Sequence, residues 1–238
     1  MSKISYKNYL SIHPEMRDKI PMGWKIKWIH YNFDHIYKNI SKQGNILDIG
    51  PGLGETLIAW KEMGFKNIKS IDISSEVVSH INKIGFHCQQ IKNCIEYLDN
   101  NRNTFDCINL SDILEHVPQD NLYSLLLSVY KSLKNNGTVV IKSPNAQSPF
   151  FNVGFYADPT HILGFTEHSL SQLFNYGGFK KYNFYAEEEP IYGFNIKGLI
   201  AKNIIMPIYF ELIKILRGST FHNNPKILTQ ALIAVARK

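Results

Sequence analysis

Apolar positions along the chain follow two rhythms. Short runs of Ile, Val, Leu and Phe recur, separated by stretches where apolar residues return every three or four positions. The runs predict buried strands over 45–49, 68–73, 86–91, 105–110 and 137–142. The intervening periodicity predicts helices over 53–64, 75–84 and 119–134. A helix over 167–176 should stop at Gly177 and Gly178, with strands to follow near 179–185 and 227–236. Residues 5–40 are aromatic and mixed in charge without strand alternation, and read as an N-terminal helical cap. Strands alternating with helices predict an α/β fold: a Rossmann-like, doubly wound, mostly parallel sheet with helices on both faces.

The first strand ends in Asp48 and runs into Ile49-Gly50-Pro51-Gly52-Leu53-Gly54-Glu55. Strand, glycine loop and helix N-terminus form a ligand cradle at the carboxyl end of a parallel sheet. A dinucleotide loop would read G-x-G-x-x-G around a pyrophosphate. Here the third glycine comes one residue early, and the carboxylate of Glu55 would repel phosphates. The spacing favours a nucleoside without phosphates over NAD. The second strand ends in Asp72, followed by Ile73, where an acid can accept both ribose hydroxyls or else support the next helix as a cap.

The loop resembles the first motif, D-x-G-x-G-x-G, of class I S-adenosylmethionine-dependent methyltransferases. Further pieces resemble that family in order: Asp72 with Ile73, then Phe105 to Val117 ending in Leu114-Glu115-His116-Val117, then Leu133 to Gly137 before a strand. Together they span roughly 44–185. The resemblance implies a seven-stranded sheet and S-adenosylmethionine as cofactor. Asp48, Gly50, Pro51, Gly52 and Gly54 would hold its methionyl part. Asp72 would bind ribose and Ile73 would pack on adenine. Asp112 and Ile113 would lie beside the cofactor. Many relatives read the adenine amino group with an acid after the third strand; Asn93 and Cys94 stand there in this chain, and Asn93 still offers an acceptor.

These assignments imply one methyltransferase domain over 1–238. Its cofactor-binding core would be 44–185 and 226–238, behind the helical segment 1–43. Segments 143–165 and 187–225 lie outside the basic sheet and are expected to shape the acceptor pocket. In the first of them, Asp158-Pro159-Thr160-His161 is the leading site for a base, with Asp158 orienting the imidazole of His161. The run resembles methyltransferases of bacterial capsule and lipopolysaccharide biosynthesis. A structural turn is the plainer reading of the same residues. His116 is the rival base.

Composition narrows the partners. The chain has 238 residues, 44% of them hydrophobic, and a formal charge of +6. That excess is spread without a dense basic block, so no nucleic-acid partner is expected. It is compatible with an anionic or carbohydrate small-molecule acceptor, such as a nucleotide-linked sugar. The three cysteines lack metal or disulfide spacing, no compact Asp/His set suggests a metal, and the amino terminus lacks a hydrophobic signal region, so a cytoplasmic protein is expected. Residues 199–216 are apolar but interrupted by Lys202, Pro207, Glu211 and Lys214, too broken to span a membrane. That segment suits core packing, a homodimer face or a membrane surface. The expected reaction is O-methylation of a sugar-like surface-polysaccharide precursor. A methyltransferase for a quinone or other lipid-like molecule, and a cofactor-binding partner protein without catalysis, remain alternatives.

Overall fold

The computed structural model describes residues 10, 23–190, 196–218 and 226–238. Most of the expected 5–22 part of the cap lies outside them. The rest of the cap is one helix, α1 (Gly23–Tyr37). The alternating core follows: β1 (Asn45–Ile49), α2 (Glu55–Glu62), β2 (Asn67–Asp72), α3 (Ser75–Lys83), β3 (Cys88–Gln90), α4 (Cys94–Asp99), β4 (Phe105–Ser111), α5 (Gln119–Ser132) and β5 (Leu133–Pro144). After it come α6 (Phe151–Phe155), α7 (Glu167–Gly177), β6 (Lys181–Ala186), α8 (Ile196–Ile200), a π-helical turn (Ala201–Ile205), α9 (Met206–Gly218) and β7 (Ala231–Arg237).

The seven strands form one sheet in the order β3-β2-β1-β4-β5-β7-β6. β1 to β5 run parallel, and β7 inserts antiparallel between β5 and β6. The chain builds outward from β1 through β2 and β3, then returns to place β4 on the other side of β1. That reversal opens a crevice at the carboxyl ends of β1 and β4. β1 and β4 have almost entirely buried residues, as strands covered on both faces must. One apolar cluster packs α5 and α7 against the sheet through Leu126, Val129, Leu173 and Phe174. The other packs α1, α2 and α3 on the opposite face through Phe33, Tyr37, Trp60 and Ile81.

The expected elements are present with shifted ends. β5 starts at Leu133, because the Asn135-Asn136-Gly137 turn is absorbed into the strand as an irregularity. Phe105 pairs with Leu133 while Cys107 pairs with Thr138, and Asn136 takes a φ of 65°. β7 starts at Ala231 rather than near 227. α4 has too few residues for a readable period; Asn93 starts it as N-cap. Core packing is not the fate of 199–216. No residue of α8, the π turn or α9 is buried, and Ile208, Leu212 and Ile215 are 58%, 53% and 67% exposed. Among the described residues no helix is long and apolar enough to cross a membrane.

Candidate active site

β1 delivers Asp48 to the crevice, and the glycine loop turns the chain away from it. Gly50, Gly52 and Gly54 all have positive φ. A Cβ on Gly50 would stand 2.3 Å from Cδ1 of Ile113, so the loop backs closely onto the segment after β4. A cavity of about 350 Å³ opens here, at the small end of the range for small-molecule pockets. Of the residues expected from the sequence, Asp48, Gly50, Pro51, Gly52, Asp72, Ile73, Cys94, Asp112, Ile113 and His116 line it. Gly54, Asn93, Asp158 and His161 are not in its wall. Gly54 is the left-handed N-cap of α2. The carboxamide oxygen of Asn93 accepts from the backbone N–H groups of Ile95 and Glu96 at 2.8 and 3.2 Å. That capping role, favoured at a helix start, corrects its expected place beside adenine.

Asp48 is the most constrained of these groups. It is 2% exposed. Its Oδ1 accepts from Nδ2 of Asn109 at 2.7 Å, and Oδ1 of Asn109 accepts in turn from the hydroxyls of Tyr37 and Ser111. Oδ2 of Asp48 is buried without a hydrogen-bond partner. Burial pushes the carboxyl up to about 7 against the pull of Asn109. Asp72 is raised to about 6, again by burial. Its Oδ1 accepts from the backbone N–H of Ser74 at 2.7 Å, while Ser74 itself caps α3. Asp72 is therefore not the cap, and it lines the cavity. Glu55 is buried in the first turn of α2, with the Lys25 ammonium 3.5 Å away.

Sequence reasoning missed contributors from several elements, charged or aromatic ones among them. α1 brings Lys25 and Trp28 into the cavity wall, and β5 brings Lys142. Lys142 binds both carboxylate oxygens of Asp112, at 2.8 and 2.9 Å, and lies 3.6 Å from Glu187. Burial opposes its charge, but Asp112 and Glu187 hold the ammonium above its ordinary range. A lone lysine in a strand gives no sequence signal; only the sheet register sets it beside the segment after β4.

The expected base residues gather at one edge of the cavity. The His116 and His161 rings are 4.7 Å apart, centre to centre. Nδ1 of His161 bonds the carbonyl of Phe155 at 2.7 Å, so that carbonyl fixes the imidazole where Asp158 was expected to. Asp158 accepts instead from both the N–H and the hydroxyl of Thr160, at 2.8 and 2.6 Å. The Thr160 hydroxyl oxygen lies 3.0 Å from Nδ1 of His116. Burial opposes ionisation of Asp158, but the Thr160 bonds prevail and lower its pKa. Burial and the neighbouring His161 lower that of His116. Glu115 is fully buried and raised to about 8, by burial first and then by Asp112. The sequence showed no metal set, yet one ligand atom from each of Glu115, His116 and His161 lies within 4.8 Å of the others. Backbone bonds from Ile162 and Leu163 to the carbonyl of Glu115 close that long sequence gap.

A family model described as a methyltransferase domain matches residues 25–183, from the cap helix through α7 into β6. The chain belongs to that family. Solved structures share the fold of this methyltransferase at low identity. A SAM-dependent methyltransferase from Archaeoglobus fulgidus is 22% identical with a TM-score of 0.69, over 97% of this chain and 100% of that one. A possible histamine N-methyltransferase from Thermotoga maritima is 12% identical with a TM-score of 0.62, over 98% and 97%. Phosphoethanolamine N-methyltransferase 2 of Haemonchus contortus, in complex with S-adenosyl-L-methionine, is 16% identical with a TM-score of 0.60, over 100% and 60%. Comparison with curated proteins finds no match. The seven-stranded fold and the family make this chain a SAM-dependent methyltransferase with S-adenosylmethionine as cofactor. The likeness to capsule and lipopolysaccharide enzymes finds no support in these proteins.

The cavity fits a cationic nucleoside. Asp48, Glu55, Asp72 and Asp112 outnumber Lys25 and Lys142 in its wall. The unpartnered Oδ2 of Asp48 is a buried acceptor that a ligand ammonium would satisfy, and buried acceptors are seldom left unmatched.

Proposed function

We propose that this methyltransferase O-methylates a small hydroxylated acceptor, with carbohydrate-like molecules the leading class. The observation that supports it most is the pair of imidazoles, with His116 in the cavity wall and His161 packed against it from outside. S-adenosylmethionine, when bound, supplies a methyl group on a sulfonium, and the protein's part is to align that carbon with the acceptor oxygen. Asp48 and the loop 50–54 would hold the methionyl end, Asp72 the ribose, and Ile73, Cys94 and Ile113 the adenine. Transfer to a hydroxyl oxygen would break the carbon–sulfur bond, leave its electron pair on sulfur and release the hydroxyl proton. The hydroxyl proton then needs an acceptor, and neutral imidazole at His116 or His161 suits the task. The lowered pKa of His116 keeps that ring neutral near pH 7.

The acid-rich wall argues against a phosphate close to the reacting oxygen. A nucleotide-linked or phosphate-bearing precursor would have to carry its anion outside the cavity and away from the Glu187-Glu188-Glu189 run. A quinone or lipid-like acceptor draws its support from the exposed apolar residues of α8 and α9. The cytoplasm is the proposed location.

The experiment is methyl transfer from labelled S-adenosylmethionine to a panel of sugars, nucleotide sugars, amines and quinols, with wild type and His161→Ala. Turnover on a hydroxyl acceptor, lowered roughly 100-fold or more in His161→Ala with S-adenosylhomocysteine affinity kept, is the expected result. Transfer to amines alone would replace the reading. An unchanged rate in the variant would remove His161 from the chemistry.

A further inference from the structure

Glu115, His116 and His161 come from the 3₁₀ turn after β4 and from the segment that follows α6. One ligand atom from each lies within 4.8 Å of the others. Two imidazoles and a carboxylate are a ligand set suited to divalent ions of the later first transition row.

The bonds around the three groups prepare them for that task. Nδ1 of His161 faces the carbonyl of Phe155, an acceptor only, so the ring carries its proton there and presents a lone pair at Nε2. The Thr160 hydroxyl donates to Asp158, so toward Nδ1 of His116 it acts as acceptor, and that ring's proton is fixed on Nδ1 as well. Metal-binding histidines are characteristically held this way, by a carbonyl or carboxylate behind the ring. Glu115 accepts from the Ser143 hydroxyl at Oε2, 3.2 Å away. Its other oxygen, Oε1, is buried with no hydrogen-bond partner. Such an oxygen is costly unless protonated or matched by a cation. Hydrogen bonds within the protein account for one oxygen of Glu115 and leave the other to be explained.

We propose that Glu115, His116 and His161 bind one divalent transition-metal ion at the edge of the methyl-donor cavity. The inference rests on the O-methylation reading only for what the ion does there; binding itself requires no acceptor. Three protein ligands leave coordination positions open, as in catalytic metal sites. A hydroxyl bound at such a position loses its proton near neutral pH, as metal-bound water does. The proton then passes to solvent, and the imidazoles serve as ligands rather than as the base.

The test uses the untagged full chain, stripped with a chelator and dialysed, and titrated with Co²⁺ alone. Visible d–d absorption and calorimetry read the binding, with Zn²⁺ and Mg²⁺ in parallel titrations. One equivalent of Co²⁺ should bind, and binding should weaken at least about tenfold in His161→Ala and in Glu115→Gln. His30→Ala, a change remote from the trio, should bind as wild type does. Circular dichroism and S-adenosylhomocysteine binding verify that each variant is folded; if Glu115→Gln fails this check, His161→Ala decides. No saturable Co²⁺ binding, equal binding in His161→Ala, or a preference for Mg²⁺ over Co²⁺ and Zn²⁺ would overturn the proposal. Loss of turnover in His161→Ala without any Co²⁺ binding would sink the metal site and leave the imidazole base standing. Co²⁺ binding without methylation of any hydroxyl would do the reverse.

Discussion

Asn109 donates its carboxamide N–H to Oδ1 of Asp48 at 2.7 Å, leaving Oδ2 as the one oxygen of that carboxylate without a partner. β4 thus orients an acid carried by its neighbour β1. Asp48→Asn removes the charge that would meet a ligand ammonium, while keeping the side chain's shape. A charge-assisted bond contributes about 1.5–3 kcal/mol, so S-adenosylhomocysteine should bind roughly 10- to 100-fold more weakly. Calorimetry measures this, and unchanged affinity would take Asp48 out of the donor site.

Three carboxyls, two buried and one half-buried, give the ligand-free protein a pH signature. Asp48, Asp72 and Glu115 are raised to about 7, 6 and 8 from 3.8, 3.8 and 4.5. Each holds its proton more tightly folded than unfolded, so its contribution is full below the unfolded value and is lost as pH rises through the folded one. The lowered pKa of His116 acts in the opposite sense near 6.5, while the raised Glu187 and His30 act with the three carboxyls. Tm should therefore fall between about pH 5 and pH 8. A cationic ligand favours ionised Asp48, so binding near about pH 6 should release protons. Calorimetry in buffers of different ionisation enthalpy detects that release; its absence would contradict the raised pKa of Asp48.

Two loop glycines should respond differently to the same change. Gly50→Ala adds a Cβ 2.3 Å from Ile113 at a φ of +72°, so the loop or Ile113 must shift into the cavity. Gly52→Ala meets nothing within 4 Å and suffers only its φ of +55°, at roughly 1–2 kcal/mol. Cofactor affinity should drop further in Gly50→Ala than in Gly52→Ala. Equal losses would show that backbone strain alone governs the loop.

Lys142 compensates a local excess of carboxylates: Asp112 in direct contact, Glu187 at 3.6 Å, and Glu115 acting on its charge from nearby. Lys142→Met should destabilise the fold by roughly 1–3 kcal/mol, because the mostly buried Glu187 loses its nearby cation while the exposed Asp112 keeps its water. Adding Asp112→Asn should recover part of the loss. Urea denaturation measures both, and a stable Lys142→Met single variant would refute the account.

The exposed apolar residues of α8 and α9 form a patch of the sort that marks association. Light scattering should show self-association at micromolar concentration, relieved by the double change Ile208→Glu with Ile215→Glu. A monomer in both the wild type and the double variant would remove the homodimer reading.

The sheet, the crevice and most of the cavity wall were legible in the chain because they are local. Asp48 and the glycines, Asp72 with Ile73, and Asp112 with Ile113 each lie within a few residues of a strand end, and strand ends are written in apolar patterning. What was illegible depends on register and on long closures. Lys142 reaches Asp112 only because β5 pairs with β4. The pairing of Glu115 with His161 needs a bond across segments that no period links. Asn93 shows the opposite failure. It was expected at a ligand contact, but a side-chain oxygen two residues from free backbone donors closes the nearer bond first.

The 2.7 Å bond from Ile162 N–H to the Glu115 carbonyl sets a boundary for redesign. It staples the segment after α6 to the turn after β4, so those two pieces keep or lose their alignment together. A graft meant to give the enzyme a new acceptor can exchange 146–157 and still inherit the staple. A graft that runs through 158–163 would have to rebuild it, and would unsettle the cavity edge along with the specificity it set out to change.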